Sequence, residues 1–103
     1  MQTLSVESVP NQKVSAVLSG QLAQVNLYTM SDGFLYMDVL LNNSAIVSGV
    51  ICLNNNLIVR SVSSGFLGDF IFTDTQGNLD PNYTELGTRF VLLYLTATEV
   101  AAL

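Results

Sequence analysis

Apolar and polar residues alternate with period two through most of the chain, and turn-forming residues break the alternation at short, regular intervals. Leu4 and Val6 alternate with Thr3, Ser5 and Glu7 up to Val9-Pro10-Asn11, which ends the first unit. Val14, Ala16 and Leu18 share one side of a strand from Lys13 to Leu18. Ser19-Gly20 then supplies a two-residue turn into a third strand, Gln21 to Met30.

The next hairpin can be read down to its register. A two-residue loop at Asp32-Gly33 would set Leu27 against Asp38 and mix the core and solvent faces. A three-residue loop, Ser31-Asp32-Gly33 with Gly33 left-handed, sets Val25 against Val39 and Leu27 against Met37. It also pairs Tyr28 with Tyr36 and Asn26 with Asp38 on the opposite face, so only this register keeps the faces consistent. Tyr28, Met30, Phe34, Tyr36 and Leu40 leave that opposite face apolar, to be covered by a second layer or by a partner.

Asn42-Asn43-Ser44 turns the chain into Ala45 to Leu53, which is apolar on both faces and reads as a central strand. Asn54-Asn55-Asn56 forms the next turn, and Leu57 to Val62 the next strand. Ser63-Ser64-Gly65 turns into a strand from Phe66 to Thr73. Asp80-Pro81 has the form of a helix cap followed by proline at the first helical position, with Gly87 as the stop, giving one short helical turn over Asn82 to Leu86. Thr88 to Thr96 is the densest apolar strand and belongs in the core. The expected fold is all-β: a small antiparallel sandwich or barrel of seven or eight short strands in a single domain over 1–103. Residues 97–103 either extend the last strand or form a free or partner-bound tail.

Composition narrows what such a domain can do. Hydrophobic residues make up 50% of the chain and charged residues only 11%, against the usual quarter or so. The mean hydropathy, +0.46, is high for a free monomer of this length, which points to a subunit whose surface is largely covered. Lys13, Arg60 and Arg89 are the only cations, and the net charge is −5. Nucleic-acid binding draws most of its affinity from Lys and Arg on phosphates, so three scattered cations exclude that footprint and an anionic membrane surface with it. The longest apolar run, Phe90 to Leu95, falls far short of the roughly 20 residues that span a bilayer. The first residues lack the basic and apolar regions of a signal peptide.

Little in the chain resembles reaction machinery. Without histidine there is no general base poised near neutral pH, no histidine-dependent serine triad and no imidazole for a metal. Cys52, between Ile51 and Leu53, reads as a buried structural thiol and excludes an internal disulfide. Asp69, Asp74, Asp80 and Glu85 could form a carboxylate pair of the glycosidase kind, but they fall at turns and strand ends where solvated acids are ordinary. Counting Asp74 as the first position of a calcium loop places Glu85 at the twelfth, yet Leu79 stands where the loop needs glycine. No metal or other cofactor is expected. Tyr28 on Tyr36 suits cross-strand packing better than a sugar platform.

Two stretches carry a resemblance. Ser8-Val9-Pro10-Asn11-Gln12 lies between two strands, and Asp80-Pro81-Asn82-Tyr83-Thr84-Glu85-Leu86-Gly87-Thr88-Arg89-Phe90 leads into the last one. In this order, spacing and chain length they resemble the small baseplate plug proteins of contractile-tailed phages, including cyanophages. The resemblance implies a non-catalytic virion protein, made in the host cytoplasm and packed at the hub–spike centre below the tail tube. There it would help assemble the baseplate and close the lumen. The implied partners are hub and spike proteins, tail tube proteins and further copies of the chain, in a three-fold arrangement that follows the trimeric hub and spike. Matching the family's pattern are Val9, Pro10, Asn11, Gln12, Asp80, Pro81, Tyr83, Gly87 and Arg89; with Tyr28 and Tyr36 they are the candidate interface or fold-defining residues, none of them catalytic. The alternative is a carbohydrate- or receptor-binding β-module of a tail fibre or tip, with Tyr28 and Tyr36 exposed beside a polar cleft. A tail-associated hydrolase using Asp69 or Asp80 is a weaker alternative.

Overall fold

Alternation becomes two layers because each strand has one face to bury. In the computed structural model, which describes residues 1–60 and 65–103, the chain runs β1 (Gln2–Leu4), β2 (Asn11–Leu18), β3 (Gln21–Thr29), β4 (Leu35–Leu41), β5 (Ser44–Ile51), β6 (Asp69–Asp74), a 3-10 turn (Tyr83–Glu85), β7 (Phe90–Leu95) and α1 (Ala97–Ala101). The strands form a four-stranded antiparallel sheet, ordered β2-β3-β4-β5, and a three-stranded one, ordered β1-β7-β6. Ala23, Val25 and Leu27 of β3 and Leu35, Met37 and Val39 of β4 meet Phe70, Phe72, Phe90, Leu92 and Tyr94 in one core. Each of the three fully buried Phe side chains contributes about 2–3 kcal/mol by leaving water. The result is an open sandwich of seven strands, not a closed barrel.

The turns fall where the sequence places them. Leu18 pairs with Gln21 across Ser19 and Gly20, both at positive φ (51° and 77°). Around Ser31-Asp32-Gly33, Val25 pairs with Val39, Leu27 with Met37, Tyr28 with Tyr36 and Asn26 with Asp38. Gly33 takes φ 85° and its N–H donates to the Met30 carbonyl at 2.9 Å. Asn42, Asn43 and Asn55 adopt left-handed conformations in their turns.

Several expectations give way to the structure. The strand over 44–51 is an edge strand, not a central one. Its pairing with β4 shifts register twice, so Val47 opposes Val39 while Val50 opposes Met37. Those bulges break the period of two and put inward residues at both parities, which is why the segment looks apolar on both faces. Residues 57–60 form no strand; Leu57 makes a lone bridge to Ile71, and the N–H groups of Ile58, Val59 and Arg60 are taken by the Asp69 carboxylate. Ser61 and Val62 of that expected strand, and Ser63 and Ser64 of the turn after it, lie outside the described residues, and β6 begins at Asp69 instead of Phe66. The cap of the 3-10 turn is Asn82, whose Oδ1 accepts from the Thr84 N–H at 3.1 Å; Asp80 is not the cap. Residues after β7 do not continue the strand: Thr96 and Glu99 form a reciprocal capping box and start α1. Among the described residues no helix is long and apolar enough to cross a membrane.

Candidate interaction surfaces

The two distinctive sequence stretches, more than seventy residues apart, meet in space. The Ser8 hydroxyl donates to the backbone carbonyls of Tyr83 (2.9 Å) and Thr84 (2.7 Å). Gly87, at φ 83°, stands against Val6, where a Cβ would lie 2.5 Å from the carbonyl oxygen. Gln12 closes the loop from the other side, accepting from the Glu7 N–H (2.9 Å) and donating to the Glu7 carbonyl (2.7 Å). Val9 is half-buried and Pro10 exposed, the Pro10 carbonyl accepting from the Thr29 hydroxyl, while Asn11 opens β2 opposite Tyr28.

The second stretch is held by carboxylates. Pro81 is buried, Tyr83 packs against the core, and Asp80 accepts from the Asn54 N–H at 2.9 Å. Arg89 grips Asp74 with two hydrogen bonds, Nε to Oδ1 at 2.8 Å and Nη2 to Oδ2 at 2.9 Å, and its guanidinium lies 5.3 Å from the centre of the Phe90 ring. Asp74 also accepts from the N–H groups of Gln76 and Leu79. The hydrogen bonds from Arg89 hold the Asp74 carboxyl well below the usual carboxylate range. Sequence reasoning singled out Arg89 and, separately, Asp74, but not their pairing across fifteen residues. The antiparallel partnership of β6 with β7, which sets Asp74 opposite Phe90, is what joins them.

Tyr28 and Tyr36 lie on the outer face of the four-stranded sheet, the face turned away from the core. Their rings stack at 6.1 Å and 18°. Both hydroxyls are committed: Tyr28 donates to Asp38 (2.9 Å) and Tyr36 to Asp32 (2.6 Å). Burial, then the bond to Asp38, pushes the Tyr28 hydroxyl above its ordinary value, and the bond to Asp32 does the same for Tyr36. Asn26 occupies the row between Lys13 and Asp38, with an enclosed Oδ1 that has no donor. Around this row Val17, Leu22, Met30 and Phe34 are exposed, so among the described residues no second layer covers this face.

Where chemistry was considered, the geometry assigns other work. Asp69 is buried, and its carboxylate accepts from four backbone N–H groups, those of Ile58, Val59, Arg60 and Phe70, at 2.7–3.0 Å. A carboxylate so occupied clamps a loop. Cys52 is fully buried and desolvation pushes its thiol up to about 12. Among the described residues no group of three or more His, Cys, Asp or Glu side chains could hold a metal ion. A cleft of about 540 Å³ is lined by Leu57, Arg60, Phe66, Gly68, Asp69 and the α1 residues Ala97 and Val100, and the carboxylate in its wall, Asp69, is the one already occupied by four backbone N–H groups.

No curated protein matches the chain. A family model described as cyanophage baseplate Pam3 plug gp18 does, over residues 1–98, a span that includes both of the stretches brought together at Ser8 and Gly87. The chain belongs to this cyanophage baseplate plug family, a structural component of the virion's tail baseplate.

Proposed function

We propose that the chain is a plug at the hub–spike centre of a contractile tail, below the tail tube, where it helps assemble the baseplate and closes the lumen. Its mechanism is shape and packing, without catalysis. The match over 1–98 carries this reading. Two structural features support it: the outer sheet face presents Val17, Leu22, Met30 and Phe34 exposed, and the carboxylates Asp69 and Asp74 are spent on backbone N–H groups or on Arg89. The partners are the hub and spike proteins, with the tail tube proteins above. Such a plug needs rigidity, and the Ser8 and Gly87 contacts supply it by fastening the loop before β2 to the 3-10 turn.

The test is to produce virions without the chain and measure baseplate assembly and premature genome loss. Fewer complete baseplates or leaking particles, restored by the chain supplied in trans, is the expected result. Normal baseplates that retain their DNA would overturn the reading.

A further inference from the structure

We infer that the outer edge of β2 is a contact surface for a second copy of this chain, the two β2 strands joining antiparallel about a two-fold axis into one continuous sheet. The inference concerns the free chain before assembly; it does not rest on the position proposed above, and it departs from the three-fold arrangement that the resemblance implies.

A free strand edge offers unpaired N–H and C=O groups to any other strand, and folds commonly guard edges they do not use. Three of the four edges here are guarded. β5 carries two register shifts and Gly49 at φ 67°. The outer side of β6 is bridged by Asn54 and Leu57, and β1 is three residues long. β2 differs: it pairs with β3 in unbroken register over eight residues, without bulge or proline, and among the described residues nothing pairs with its other edge.

The hairpin turn decides which groups face outward. A two-residue turn makes Leu18–Gln21 a hydrogen-bonded pair, and alternation then turns the N–H and C=O of Lys13, Ser15 and Val17 away from β3. The core side is incomplete at this edge too: Val14 and Ala16 are only partly buried, while their partners Val25 and Ala23 are buried. An added strand must therefore place apolar residues beside Val14 and Ala16.

A second β2 meets both demands. Two-fold pairing centred on Ser15 sets Ser15 against Ser15, Val14 against Ala16 and Lys13 against Val17, so faces match and the lysine stem covers an exposed valine. Centring on Val14 instead would bring the two lysines to about 8 Å, against about 14 Å in the preferred register. Charge selects the same strand. Each copy carries −5, and β2 is the only edge strand with a cation and has no acid, so two copies approach here at the least repulsion.

Light scattering on the eluting chain should give twice 11.1 kDa. Ser15→Cys should form a disulfide-linked dimer in oxidised glutathione, while Gln76→Cys, exposed on a distant turn, should not. Cys52 is too buried to interfere. Ser15→Pro removes an N–H that β3 does not use, so it should leave the circular dichroism intact and give a monomer. A monomeric or trimeric wild-type mass, or Ser15→Cys crosslinking no faster than Gln76→Cys, would overturn the inference.

Discussion

Gly87 lies so close to Val6 that a single added carbon would sit 2.5 Å from the Val6 carbonyl oxygen. This contact, with the Ser8 hydroxyl on Tyr83 and Thr84, fixes the entry into β2 against the segment leading into β7, and so ties one sheet to the other. Gly87→Ala must pay for a left-handed backbone and for a backbone clash together, a loss of about 2–3 kcal/mol in urea unfolding. Gly33→Ala, at φ 85° with open space around it, should lose about 1 kcal/mol. Equal losses at the two positions would mean that the Val6 contact is not close.

Asp69 organises the chain between β5 and β6 through its four N–H donors. Asp69→Asn keeps the shape but turns an NH₂ toward those donors, and should cost about 2–4 kcal/mol. A stability within about 0.5 kcal/mol of wild type would remove the clamp from the account.

The Asp74–Arg89 pair makes stability depend on acid. The folded-state value of Asp74 is depressed, so its contribution is complete above about pH 4 and is lost as pH falls toward that depressed value. Urea midpoints of wild type and Arg89→Ala should differ most at neutral pH and draw together as pH falls below 4, leaving what Arg89 gains from Glu85, 3.7 Å away, and from lying over Phe90. Arg89→Lys should recover less than half of the neutral-pH difference, since an ammonium cannot make the two-pronged contact. A gap that stays constant down to pH 2 would contradict the pairing.

Burial makes Cys52 inert. A thiol reagent should react with it only at the rate of unfolding in native buffer, and with one thiol per chain in denaturant. Fast labelling of the native chain would place Cys52 at the surface.

What could be read ahead of the structure was whatever depended on neighbours in sequence. The pairings of Val25 with Val39 and Tyr28 with Tyr36 follow from alternation and a glycine turn, both local. The misreadings arise where distant groups intervene. Residues 57–60 have the composition of a strand, but a carboxylate nine to eleven residues away takes their N–H groups. Ala45 to Leu53 reads as central because bulges disturb the alternation that would show its single buried face. Asp80 has the right type and place for a cap, yet it reaches back to Asn54 and leaves the capping to Asn82. The candidate positions were legible as types, whereas the partners of Arg89, Gly87 and Tyr28 lie on other strands or loops that only the fold brings near.

The central claim is that this chain sits on the tail axis as a plug. Electron cryomicroscopy of intact virions, with the seven-stranded sandwich fitted into the baseplate density, tests it most directly. The account predicts density for the sandwich at the hub–spike centre, across the lumen below the tail tube. Sandwich density at the baseplate periphery or on a fibre tip, with the axis open, would contradict it.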